Sequence, residues 1–136
     1  MLEFVWNSYC GGRRALLVRL IPYYQTSPPD LTHGAYIASM QYMPAVLVAK
    51  AKEFRDDGSI VEVVVWTLSE PLTPSPHRYK YRLYYGAAGV CRVRYDNERD
   101  KGDHRHLDER EEDYIFTTLE QLLADFERDV NEWSAP

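Results

Sequence analysis

Two histidines separated by one residue, His104 and His106, are well suited to proton transfer. In an extended backbone, side chains two positions apart point the same way, so the two imidazoles would lie together. One ring could take the proton of a ribose 2′-hydroxyl, and the other ring or Lys101 could protonate the leaving oxygen without a metal. We predict four catalytic residues: His104, His106, Asp96 and Lys101. Four neighbours are predicted to support them: His77, Asn97, Asp103 and Arg105.

The same residues permit two other interpretations. We predict a catalytic site that needs no metal or cofactor. Two histidines and a carboxylate also bind divalent metals, so a metal centre is one alternative. Histidines also hydrogen-bond loops together, and Asp and Asn cap turns, which is the structural interpretation. Context favours catalysis, because three of the four histidines flank one basic stretch and His77 could approach His104 and His106.

The basic stretch, residues 77–106, carries eight Lys/Arg against four Asp/Glu, while the whole chain has a formal net charge of -5. Cations neutralise phosphates and Tyr rings stack on bases, so this composition suits a single-stranded nucleic acid. The alternative is a solvated face whose cations pair with acidic neighbours. We predict nucleic-acid binding by Arg78, Lys80, Arg82, Tyr84, Arg92 and Arg94.

A β-hairpin would position these cations. A three-residue loop at residues 87–89 sets Gly86 opposite Val90 and places the cations on one face of the hairpin. The opposite face is expected to form core under a helix, and it carries Tyr79, Tyr81, Leu83, Tyr85, Cys91, Val93 and Tyr95.

Further strands precede the hairpin, and a helix ends the chain. Residues 46–54 and 60–68 read as strands joined by an Asp-Gly turn. A polar loop is expected over residues 96–110, and a short extended piece over 114–116. We predict an α+β fold, an antiparallel sheet of about four to five strands with the C-terminal helix packed on one face.

The C-terminal helix has the most regular pattern in the chain. Apolar residues recur at helical spacing from Leu119 to Trp133, and Thr117 with Glu120 resembles a capping box at the start. The other helix face is expected to be solvated and carries Glu120, Asp125, Glu127, Asp129 and Glu132.

The chain of 136 residues has the length of one domain. Residues 1–42 are poorly patterned, and we interpret them as an N-terminal extension or a misassigned start, with Met43 beginning a single domain over residues 43–136. No apolar run suits a membrane span, and two distant cysteines do not suggest a disulfide framework, so a cytoplasmic protein is expected.

Several blocks in the last two-thirds of the chain resemble the TumE-type toxins of bacterial toxin-antitoxin pairs. These blocks are DGSIVEVVVW (57–66), EPLTPSPHRYKYRLYYG (70–86), VRYDNERDKGDHRH (93–106), REEDYIF (110–116) and LEQLLADFERDV (119–130). The resemblance, over residues 45–133, implies a toxin and a cognate antitoxin, usually a DNA-binding protein encoded beside it. It carries over no catalytic residues. The chain departs from the family pattern in residues 1–42 and at Asp113, where a proline is expected.

The expected function is therefore a toxin that acts on RNA, as a ribonuclease or a translation inhibitor. One alternative is a non-enzymatic binding module whose basic face docks an acidic protein. The other is a metal-dependent nuclease. RNA and the antitoxin are the expected partners. Binding to a membrane is not expected.

Overall fold

The computed structural model describes residues 4–5, 17–20 and 45–134, and these form one antiparallel sheet with a single helix packed on it. The eight strands follow one another in sequence order. They are β1 (Phe4–Val5), β2 (Leu17–Leu20), β3 (Ala45–Phe54), β4 (Ile60–Leu68), β5 (Tyr79–Ala87), β6 (Val90–Glu98), β7 (Gly102–Leu107) and β8 (Arg110–Asp113), and helix α1 spans Leu119–Ser134. The α+β class is confirmed, and the strand count exceeds the predicted four to five. Apart from β1 and β2, the predicted N-terminal extension lies outside the described residues.

The predicted hairpin of β3 and β4 is confirmed. The strands pair along their length, from Ala45 opposite Leu68 to Phe54 opposite Ile60. The turn between them places Gly58 at a φ of 79°, which glycine adopts at low cost. Ser59 donates hydrogen bonds from its backbone and its hydroxyl to Asp57 Oδ1, at 2.9 and 2.7 Å. The Asp-Gly pattern therefore located this turn correctly.

The hairpin of β5 and β6 forms in a register that differs from the prediction. Ala87 pairs with Val90, so the loop contains two residues, Ala88 and Gly89, both at positive φ (53° and 75°). The three-residue loop is therefore wrong. These two φ values suit the right-handed twist of a two-residue hairpin.

A β-bulge in β6 restores the predicted faces beyond the turn. Gly86 pairs with Cys91 and Tyr85 with Val93, so Arg92 is an additional residue on β6. The bulge exchanges the predicted faces of two side chains. Cys91 lies near the charges of Arg82 and Arg94, whereas Arg92 stacks on a ring of α1.

The polar loop predicted over residues 96–110 is wrong. Its first residues continue β6, β7 and β8 occupy most of the remainder, and the two turns between these strands are short. Asp100, Gly102 and Asp108 adopt positive φ at these turns. The extended piece predicted at residues 114–116 follows the strand β8 instead of forming it. Polar side chains on these strands pair with one another, so the sequence lacks the apolar alternation by which strands are recognised.

Helix α1 packs on one face of the sheet, and the core lies between them. Tyr81, Tyr85 and Tyr95 are buried there, which confirms the predicted tyrosine face, together with Leu122, Leu123, Phe126 and Val130 of α1. Within the part of the chain that the structure describes, no helix has the length and apolarity needed to cross a membrane.

Two details of α1 correct the sequence prediction. The cap is Thr118, whose Oγ1 accepts a hydrogen bond from the backbone N–H of Gln121 at 3.1 Å, so the capping box of Thr117 with Glu120 is displaced by one residue. Asp129 is buried and does not belong to a solvated acidic face. Its carboxylate accepts hydrogen bonds from Tyr95 and Arg105.

Candidate active site on the far face of the sheet

The sheet face opposite α1, which we call the far face, carries a compact group of ionisable side chains. Strand register places them: Asp96 on β6 lies directly opposite His104 on β7, Arg94 lies opposite His106, and His106 lies opposite Glu111 on β8. His104 and His106 point the same way, as their spacing predicts, with ring centroids 5.2 Å apart. We call these five residues the far-face cluster.

His104 is the buried member of the cluster, with a side chain 2% exposed. Its Nδ1 lies 3.1 Å from the carbonyl oxygen of Gly102, which can only accept, so Nδ1 carries the donated hydrogen. Its Nε2 lies 2.7 Å from Asp96 Oδ1, yet the geometry of this contact is too poor for a hydrogen bond. In a neutral ring with Nδ1–H, two acceptor atoms therefore face each other.

His106 is the more accessible histidine, with a side chain 16% exposed. Its Nε2 lies 2.7 Å from Nη2 of Arg94, and because a guanidinium can only donate, His106 Nε2 accepts this hydrogen bond. Burial, with the nearby charge of Arg94, lowers the pKa of His106. Its ring is therefore neutral near pH 7, with the Nε2 lone pair directed at Arg94 and the same nitrogen 3.9 Å from Asp96 Oδ1.

Lys101 reaches the cluster through Glu111, a residue that the sequence pattern did not indicate. Its Nζ lies 2.6 Å from Glu111 Oε1, and Glu111 Oε2 lies 3.8 Å from His106 Nε2. The hydrogen bond between the lysine and the glutamate raises the pKa of Lys101 and lowers that of Glu111. Recognition of the β7–β8 hairpin would have identified Glu111, because it lies opposite His106 in that ladder.

His77 approaches β7, as proposed from the sequence, but on the α1 side. Its Nε2 lies 2.8 Å from Asp103 Oδ1, and the hydroxyl of Tyr81 donates to the same oxygen at 2.7 Å. Phe116 packs against the His77 ring, with centroids 3.8 Å apart. The structure therefore does not bring His77 and Asp103 together with His104 and His106.

Asn97 and Arg105, the other two supporting residues, make contacts that join structural elements. The Asn97 side chain accepts from the backbone N–H of Tyr81 at 3.0 Å and donates to the Tyr79 carbonyl at 2.7 Å. Arg105 donates to Asp129 on α1 at 3.1 Å and to Glu112 on β8 at 2.9 Å. Both residues lie outside the far-face cluster. Asn97 joins β6 to β5, and Arg105 joins β7 to α1 and β8.

The predicted phosphate-binding residues are divided between the two sides of the sheet. Arg82 lies opposite Asp96 and stacks over Tyr84, 5.7 Å from its ring centroid, and Arg94 is part of the far-face cluster. Arg92 instead lies over the ring of Trp133 on α1 and pairs with Asp108. Arg78 is exposed and immediately precedes β5.

Lys80 is anchored next to the cluster. Its ammonium group donates to the carbonyl oxygen of Asn97, and burial lowers its pKa despite the nearby charges of Asp96 and Glu98. The far face therefore combines anchored and exposed cations around two histidines and one buried carboxylate.

A family model described as Toxin TumE covers residues 37–134, which include β3–β8, α1 and all of the far-face cluster. No curated protein and no solved structure matches the chain.

Proposed function

Because this chain belongs to the TumE toxin family, it is the toxin of a toxin-antitoxin pair, and we propose that it acts by cleaving RNA at the far-face cluster. The partner is its cognate antitoxin. As part of the same proposal, the antitoxin is a small DNA-binding protein encoded adjacently, and the toxin acts in the cytoplasm, where RNA is abundant.

The observation that carries the proposal is the placement of His106. Its ring is partly accessible, Arg94 donates to it, and the buried Asp96 lies beside it. A phosphodiester that reaches His106 would also meet the guanidinium groups of Arg94 and Arg82, which can neutralise charge that develops on phosphate oxygens. Cations grouped around a reactive histidine suit RNA better than an uncharged substrate.

The other predicted catalytic residues have different roles in this arrangement. His104 is too buried to contact a substrate, so it acts through its contact with Asp96, and the expected exchange of protons between two accessible histidines is not the arrangement that we favour. Lys101, held at the edge of the cluster by Glu111, would contact phosphate.

Growth arrest in bacteria tests the proposal. Expression of His106→Ala without the antitoxin should permit growth, whereas His77→Ala should arrest growth as the unmodified chain does. His77 is a suitable control because it is also a partly buried histidine close to an aspartate, but on the α1 side. A folded His106→Ala variant that still arrests growth would remove the far-face cluster from the mechanism.

A further inference from the structure

Two buried polar atoms in the far-face cluster face each other without satisfying each other. Among the described residues, neither Asp96 Oδ1 nor His104 Nε2 has a hydrogen-bond partner, although the atoms are 2.7 Å apart. The carbonyl of Gly102 accepts the hydrogen of His104 Nδ1, so in the neutral ring Nε2 presents a lone pair to a carboxylate oxygen. Burying two unpaired acceptors is costly, and a cation placed between them removes that cost.

A third ligand atom lies at the same point. His106 Nε2 is 3.9 Å from Asp96 Oδ1, and Asp96, His104 and His106 can each offer one ligand atom such that the three atoms lie within 4.8 Å of one another. An ion held about 2.1 Å from each ligand sets tetrahedral ligand atoms about 3.4 Å apart. The observed distances of 2.7 and 3.9 Å bracket this value, so small side-chain rotations would complete the site.

We infer that Asp96, His104 and His106 bind one divalent transition-metal ion of the zinc type, through Oδ1 and the two Nε2 atoms. Two imidazoles and one carboxylate are a donor set that favours zinc over magnesium, which prefers oxygen ligands. Three protein ligands leave one position for water or a phosphate oxygen.

The surroundings of the ligands support metal binding. The hydrogen bond from His104 Nδ1 to Gly102 O fixes the ring orientation and its tautomer, as the outer contacts of metal-bound histidines commonly do. The ligands also come from two directly paired strands, so the β6–β7 ladder fixes their spacing before any ion binds. A preformed site reduces the ordering that binding requires.

Arg94 is the competitor of the ion. Its Nη2 lies 2.7 Å from His106 Nε2 and donates to the lone pair that a metal ion would need. Its Nε lies 3.3 Å from Asp96 Oδ2. The Arg94 side chain is 31% exposed and can turn towards solvent when an ion binds. Removal of its charge should therefore strengthen metal binding, whereas removal of a ligand should weaken it.

The decisive experiment measures ion binding by the full chain, without RNA. Chelator-treated protein is titrated with ZnCl₂ in a calorimeter, and Co²⁺ is used in parallel because its visible spectrum distinguishes nitrogen and oxygen ligands from thiolates. We expect one equivalent to bind, and His106→Ala and Asp96→Asn to weaken binding at least about tenfold. His77→Ala should bind as the unmodified chain does, and Arg94→Gln should bind more tightly.

The variants decide the outcome because the sequence contains other possible donors, among them His33, Cys10 and Cys91. Circular dichroism establishes that each variant is folded. An absence of binding, binding that folded His106→Ala and Asp96→Asn retain in full, or a thiolate spectrum overturns the inference. An Arg94→Gln affinity that does not increase overturns the competition with the ion.

The binding site does not depend on RNA, but a role for the ion in cleavage rests on the proposed function. Parallel cleavage assays separate the two failures. If the protein binds zinc at these residues but leaves RNA intact, the metal site is supported and the proposed function is wrong. If the protein cleaves RNA but binds no ion, the proposed function is supported and the metal site is wrong.

Discussion

His77 and His104 are both poorly exposed and both lie within 2.8 Å of an aspartate, yet their surroundings are opposite in kind. Asp103, the partner of His77, also accepts a hydrogen bond from Tyr81 and is satisfied. Asp96, the partner of His104, has an oxygen without a hydrogen-bond partner among the described residues. Neighbouring positions on β7 face opposite sides of the sheet, which explains why Asp103 contacts His77 on the α1 side while the adjacent His104 contacts Asp96 in the far-face cluster.

Arg82 provides a prediction at the scale of the residue. Its exposed guanidinium lies opposite Asp96, so Arg82→Gln should weaken RNA binding by removing a phosphate contact. The slope of log affinity against log salt concentration should decrease by roughly 0.7, the value for one contact with a single strand.

Arg110→Gln is the charge-matched control for Arg82→Gln. Arg110 is also exposed, but it lines a pocket on the α1 side together with Trp133. Salt-dependent binding of a labelled single-stranded RNA measures both variants. Equal slopes for Arg82→Gln and the unmodified chain would indicate that RNA does not bind on the far face.

At the scale of the element, the pattern of apolar residues predicted β3, β4, the tyrosine face and α1. Each of these elements buries an apolar face, and the spacing of its own apolar residues reveals that face. The pattern failed for β7 and β8, because their side chains are mainly polar and several of them pair with charged groups on neighbouring strands or on α1. It also missed the bulge at Arg92. A three-residue turn without a bulge and a two-residue turn with a bulge place the side chains from Val93 onward on the same faces. The predicted catalytic residues Asp96, His104 and His106 do come together, but through a β-ladder that the sequence did not reveal.

The cap of α1 gives a prediction for this element. Thr118→Ala removes the oxygen that accepts from the Gln121 N–H and should lower the free energy of unfolding by about 1 kcal/mol. Thr117→Ala, one residue earlier and also exposed, should change it by less than about 0.5 kcal/mol. Urea denaturation of both variants measures the difference. A larger loss in Thr117→Ala would restore the capping box that the sequence suggested.

At the scale of the whole molecule, the sheet separates two charge environments. The last thirty residues carry ten Asp/Glu against two Lys/Arg, and several of these acids pair with cations of the basic stretch. Asp129 binds Arg105 and Asp108 binds Arg92, both on the α1 side. Glu111 is the acid of this segment that lies in the far-face cluster, where it pairs with Lys101. Because Asp129 and Asp108 pair with cations on the α1 side, they leave Arg82 and Arg94 on the far face to interact with a polyanion.

We propose that residues 43–136 are the toxin domain and fold without the preceding residues. They contain β3–β8 and α1, and removal of β2 exposes the edge of β3. That edge has a register irregularity between Leu47 and Ala49 and carries Lys50 and Lys52, features that discourage pairing with other chains. The fragment should unfold cooperatively in urea and arrest growth.

A longer fragment, residues 37–136, is the control, because it begins where the family match begins. If only this longer fragment folds, the domain boundary lies before Met43. If neither fragment folds while the full chain does, the N-terminal strands are part of the toxin domain.

Cleavage of a labelled single-stranded RNA by the purified full chain, with ZnCl₂ present, tests whether the far-face cluster is the active site. The unmodified chain and His77→Ala should cleave at similar rates. His106→Ala should be slower by about 100-fold or more, a loss typical of removing a group that acts at the reacting centre. Intact RNA after incubation with the unmodified chain, or a folded His106→Ala variant that cleaves at the unmodified rate, would contradict the assignment of the far-face cluster as the active site.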